Sequence, residues 1–243
     1  MKKTKKIFNA LGYLLALFLI VSTVFPQIFF KYKEEYKSFV VYSNTKNLKN
    51  IHTIIDEADK LLIESELYNN SYKQKIFICN NNILYTVFAI SSRKAFAVNN
   101  TFTNNIFIAN ANLEKNISYS SAKENNVRTL NSVIAHETCH SFLKKKLGFV
   151  KYKFLARWKN EGYCDFIANE SSFNYKRGLN LFCEENTKPN TLKSFEYFKY
   201  RLYVNYLIEY EQKNISEILQ EDFEFDILDK KVNEKYCKSL NEQ

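Results

Sequence analysis

Glycine and proline are scarce in this chain of 243 residues, four and two respectively. No flexible or Pro-rich linker divides it and no internal repeat is present, so one domain with a leading segment is the default. Histidine is scarce too, with only His52, His136 and His140. The five cysteines, Cys79, Cys139, Cys164, Cys183 and Cys237, form no CxxC pair, which argues against a cysteine-ligated zinc module. Their odd number leaves at least one unpaired or paired outside the chain. A bridge such as Cys183 to Cys237 is one of several that the sequence allows, and spacing does not choose among them.

Charge is absent from Ile7 to Phe30. As a single helix that stretch would rise about 36 Å, enough to cross a hydrocarbon core of about 30 Å. Lys2, Lys3, Lys5 and Lys6 precede it, the positive flank of a signal or signal-anchor. The expectation is an N-terminal transmembrane segment over residues 1–30. Residues 7–30 would meet the membrane, with the N-terminus cytoplasmic and the remainder outside. The bulky run "VSTVFPQIFF" favours a retained anchor over a cleaved and secreted form. The formal charge is +9, or +5 once those four lysines are set aside. Later lysines are scattered, with no Arg-aromatic platform, so no nucleic-acid partner is expected.

What the chain does have is apolar content, 46% of residues, enough to bury a core and exclude a disordered chain. "SFVVYS" reads as a strand, and "LKNIHTIIDEADKLLIESEL" spaces its apolar residues as an amphipathic helix. "KIFIC", "AFAVN" and "NIFIAN", separated by Asn- and Ser-rich turns, read as strands of one small sheet. Beyond Lys123 the pattern turns helical. "NNVRTLNSVIAHETCHSFLKKKL" is closed by Gly148, followed by "LARWKNEGYCDFIANESS" and "TLKSFEYFKYRLYVNYLIEYEQ". Strands before helices predict an α+β domain, its sheet part over about 31–120 and its helical part over about 121–243.

"HETCH" places His136 and His140 four residues apart. On a helix they emerge about 40° apart and one turn along the axis, so both imidazoles can grip one metal ion. Glu137 stands where a metalloprotease keeps its general base. A random arrangement of so few histidines would spell HExxH in only about four chains per thousand. A catalytic zinc site needs a third protein ligand. His52 reads as an ordinary helix residue, so the third ligand must be acidic. Glu161, 21 residues after His140, leaves room to finish one helix and enter another. Asp165 sits one turn further on the same face, suited to accept the far ring N–H of a histidine ligand. Cys139, about 100° around the helix from His140, reads as core packing.

"HETCH" followed by "NEGYCD" resembles the gluzincin metallopeptidases, the thermolysin and aminopeptidase-N clan. Within that clan "ARWKNEGYCDFIANES" is similar to the W-x-x-E-G segment of the peptidase MA superfamily. The likeness is specific over Leu130 to Phe166, loose to about Leu219, and absent before Ser71. It implies one zinc ion at His136, His140 and Glu161, Glu137 as general base, and Asp165 behind a histidine. It also implies an edge strand before the zinc helix along which an extended substrate lies, with "NIFIAN" the candidate. The chain departs from the pattern in lacking an upstream G-x-M-E-N segment, which removes support for aminopeptidase activity. It also lacks any histidine after His140. A tyrosine hydroxyl is then the substitute for steadying an oxyanion, with Tyr197 and Tyr200 the candidates and Tyr203 also within the same helix. The resulting expectation is a membrane-anchored zinc metallopeptidase acting on a peptide or protein substrate. The alternatives are a catalytically silent, membrane-tethered binding module and a zinc amidase acting on cell-wall peptides.

Overall fold

The structure is a computed structural model that describes residues 2–69, 71–90, 92–184 and 192–241. Thr191, with which the third expected helix was to begin, lies outside them. The first helix, α1, runs Lys2–Val24. The α+β reading of the domain agrees with the structure, but the transmembrane segment does not. Among the described residues no helix is long and apolar enough to cross a membrane. The apolar run is divided. Its helical part, Ile7 to Val24, rises only about 27 Å. The chain then enters a 3-10 turn at Pro26–Phe29, because proline starts such a turn readily but cannot continue the preceding helix. Residues counted towards the span fold onto the protein instead: Ser22, Pro26 and Phe30 are buried, and Phe29 meets Phe88 edge-on at 5.9 Å. The single-pass anchor, and the localisation built on it, are therefore corrected.

A five-stranded mixed sheet follows, formed by β1 (Tyr32–Tyr36), β2 (Phe39–Ser43), β3 (Gln74–Ile78), β4 (Ala97–Asn99) and β5 (Ile106–Ile108), in the order β1-β2-β3-β5-β4. The β2–β3 and β3–β5 pairs are parallel, and parallel neighbours need a crossover. Helix α2 (Ile51–Ile63) makes the first, and the second contains α3 (Asn82–Phe88), capped by the Asn81 side chain. Alternation along the strands gives the sheet two different faces. Ile76, Ile78, Ile106 and Ile108 join Phe39 and Val41 beneath α2 and the motif helix, in the larger core. Phe77 and Phe107 point the other way and stack at 5.0 Å, with Tyr42 and Phe88 extending the stack at 4.8 and 4.2 Å. "NIFIAN" is not an edge strand: β5 lies between β3 and β4, and the edge on that side is "AFAVN".

The first expected helix was to begin with "NNVRT", but Val127–Thr129 form a strand, β8, which with β6 (Asn110–Asn112) and β7 (Ile117–Tyr119) makes a second antiparallel sheet. Helix α4 (Leu130–Lys153) starts only after β8 and breaks at Gly148, whose φ of 75° and ψ of 163° suit glycine alone. Helix α5 (Arg157–Ile167) carries the second motif, and α6 (Tyr175–Glu184), α7 (Lys193–Glu209), α8 (Ile215–Gln220) and α9 (Phe225–Asn241) complete the fold. The Cys183–Cys237 disulfide joins α6 to α9, while Cys79, Cys139 and Cys164 are free and buried.

α5 and α7 meet at main-chain distance. A Cβ built at Gly162 would stand 2.4 Å from the Tyr200 carbonyl oxygen and 2.9 Å from Val204 Cγ2. The first neighbour is backbone and cannot turn away. Gly162→Ala is expected to lower stability by about 1–3 kcal/mol, read from the urea midpoint, because the two helices must separate to admit one methyl group. An unchanged midpoint would show that the helices part freely.

Candidate metal centre

Nearly every residue from Leu130 to Leu143 is buried, because α4 lies between α2 and the sheet on one side and α5 on the other. In so enclosed a helix the two histidines cannot be solvated surface groups. Their Nε2 atoms face each other at 3.1 Å. Glu161 Oε2, from α5, lies 3.4 Å from His136 Nε2 and 3.7 Å from His140 Nε2. These three side chains form a group that could hold a metal ion, with all the ligand atoms within 4.8 Å of one another.

The spacing fits a small tetrahedral cation. Ligand atoms about 2.0–2.1 Å from zinc at tetrahedral angles stand about 3.3–3.4 Å apart, the middle of the observed range. The far side of each ring supplies a second test. His136 Nδ1 makes a close, oblique contact of 2.8 Å with Asp165 Oδ1, and His140 Nδ1 lies 2.9 Å from Asn160 Oδ1. With a hydrogen on each Nδ1, both Nε2 lone pairs and a carboxylate oxygen converge on one point with no donor among them. Such a point needs positive charge. In the metal-free chain a proton supplies it. Burial opposes charge on His136, but the Asp165 charge and the contacts with Asp165 and Glu161 prevail and raise it to about 10.

Charge balance extends outwards. Burial would push the Asp165 carboxyl up, yet the Arg128 guanidinium and His136 hold it below the usual carboxylate range. Arg128, from β8, donates from Nη1 to Asp165 Oδ1 at 3.1 Å and from Nη2 to the Glu170 carbonyl at 2.9 Å. Glu161 behaves likewise: burial raises its carboxyl, and the two histidines bring it below its ordinary value. The Glu161 side chain keeps 21% of its surface, so the metal point opens to solvent on that side.

Glu137 is 8% exposed, and its carbonyl accepts a 2.7 Å hydrogen bond from Asn99 Nδ2 at the end of edge strand β4. The same Nδ2 donates to Ser141 Oγ at 2.7 Å, which ties the edge strand to the helix that carries both histidines. The two candidate tyrosines separate. Tyr200 donates its hydroxyl to Glu196, and its pKa is raised by burial and by that contact. Tyr197 is pushed up to about 12 by burial and by the Glu161 charge, so its phenol stays protonated. Tyr203 is committed elsewhere, bonded to Asp229 and edge-on to Trp158. Cys139 lies in the hydrophobic core, and His52 stacks on Tyr36 at 4.1 Å with its Nε2 on Glu34.

Sequence reasoning missed Arg128, Asn160, Cys164 and Tyr152. Cys164 Sγ approaches His140 Nδ1 at 3.2 Å, and the Tyr152 hydroxyl accepts from Asn160 Nδ2 at 3.5 Å. Asn160 was within reach, since it precedes Glu161 in the quoted motif. Arg128 was not, because it sits in a strand that the sequence reads as helix. Comparison with protein-family models, with curated proteins and with solved structures returns no match.

Proposed function

We propose that the chain is a zinc-dependent metallopeptidase of gluzincin type that hydrolyses peptide bonds. The observation that carries this reading is the convergence, at zinc-like spacing, of Glu161 from α5 with His136 and His140 from α4, the helix that also bears Glu137. A zinc ion held there would acidify water and polarise a carbonyl. The residues of the chain do the rest. Glu137 takes a proton from the attacking water and delivers it to the leaving amine. Tyr197, still protonated at neutral pH, donates its O–H to the oxyanion. Asp165, backed by Arg128, orients His136, and Asn160 orients His140. The resemblance of "HETCH" and "NEGYCD" to that clan supports the same roles.

The test is metal analysis of the purified full chain beside Glu161→Ala. The parent is expected to hold one equivalent of zinc and the variant less than about a tenth of that, since loss of one of three ligands removes most of the affinity. Zinc retained in the variant removes Glu161 from the ligand set. Full zinc with no cleavage of any peptide in a broad library points to the binding-module alternative.

A further inference from the structure

Between Glu137 and Glu161 the chain carries seven lysines and arginines and no acidic residue. This stretch joins the helix that carries both histidines to the one that carries Glu161. Two of these cations are committed to other partners. Lys144 is bound to Asn104 and the Thr101 carbonyl, and Lys159 turns its Nζ to the Glu221 carbonyl at 2.5 Å. Arg157 differs. It precedes Glu161 by one helical turn on the same face of α5, it is exposed, and its guanidinium lies 5.8 Å from the centre of the Tyr197 ring. Among the described residues no carboxylate pairs with it: the nearby Glu196 is taken by Tyr200, and Glu161 faces the histidines. Nor does it serve its helix, because it occupies the first turn, where the helix dipole disfavours a cation.

We propose that Arg157 is the specificity-determining residue of this site and selects a peptide bearing a carboxylate, an Asp or Glu side chain close to the scissile bond. This rests on the metallopeptidase reading and names its substrate class. Helix geometry sets the reach. Arg157 stands one turn, about 6 Å along the axis, from the ligand Glu161, so the recognised carboxylate lies within about two residues of the bond cleaved, at about 3.5 Å per extended residue. Guanidinium suits the task because its fixed fork accepts a carboxylate through two parallel hydrogen bonds.

The experiment uses labelled decapeptides in which a single Glu is moved along an otherwise neutral sequence, each paired with its Gln counterpart. Binding is read by fluorescence anisotropy on the zinc-loaded full chain carrying Glu137→Gln, and cleavage on the zinc-loaded parent. At one or two Glu positions affinity is expected to exceed that of the Gln peptide by tenfold or more. Adding Arg157→Gln should bring that ratio to within twofold of unity, and adding Arg157→Glu should transfer the preference to a Lys peptide. If Arg157 only steadied Tyr197, its loss would weaken both peptides alike and leave the ratio unchanged, which overturns the proposal. Equal binding of Glu and Gln peptides at every position, or no binding of either, overturns it as well. Cleavage without discrimination sinks the Arg157 role and spares the metallopeptidase reading. Discrimination that depends on Arg157, with no cleavage by the parent, does the reverse.

Discussion

Replacing Glu137 by Gln is expected to reduce peptide hydrolysis by about 10³-fold while leaving zinc content at one equivalent. The substitution keeps the shape of the side chain and removes only its ability to accept a proton. Glu137 is not among the ligand atoms that converge on the metal point, so occupancy should not change. General base catalysis is worth about 10²–10⁴ in rate, and the two proton transfers assigned to this carboxylate place the loss towards the upper end. The carbonyl of residue 137 would still accept from Asn99, so helix position is preserved and a fall in kcat can be assigned to chemistry. Initial rates with and without added zinc decide the matter. Activity within tenfold of the parent would assign the base to another group.

Arg128→Met is expected to cost about 3–5 kcal/mol in stability, measured by urea unfolding of the metal-free chain. Arg128 is 7% exposed and Asp165 2% exposed, so the substitution leaves a carboxylate in a nearly dry interior with His136 beside it but without its guanidinium partner. The size change is small, so the loss reports the guanidinium's charge together with its hydrogen bonds to Asp165 and to the Glu170 carbonyl. A second substitution tests the account: Asp165→Asn on the Arg128→Met background should recover part of the loss, because no buried charge is then left unpaired. If the double variant is less stable by the full sum of the two single effects, the ion pair is not the origin. Zinc affinity of Arg128→Met should also fall, by about 10- to 100-fold, since Asp165 no longer has a fixed position from which to hold His136.

The two motifs could be read from the sequence because their chemistry is local. A pair of histidines one turn apart specifies its own geometry as soon as the segment is helical, and Asp165 repeats that relation to Glu161. The structure brings these four residues together, and of the two tyrosines Tyr200 turns to Glu196 while the Glu161 charge helps to keep Tyr197 protonated. What escaped was long-range. Val127, Arg128 and Thr129 form a strand because Ile117 to Tyr119 stands ready to pair with them, a partner that periodicity alone does not reveal. Ile106 to Ile108 is apolar throughout, which fits an interior strand better than an edge, and edge position was the feature misread. The N-terminal run misled for a related reason. An uncharged stretch satisfies a lipid interior and a protein interior equally well, and Pro26 and Phe30 take the second option.

The contact at Gly162 has a mechanical consequence. Where two helices touch through side chains, rotamer changes let them slide or part slightly as a ligand enters. Here the Tyr200 carbonyl rests against Gly162 itself, and no rotatable bond lies between them. Glu161 and Tyr197 therefore ride on what amounts to a single rigid plate. The distance between those two side chains is then set by backbone and not by rotamers, so neither helix can shift here without carrying the other with it.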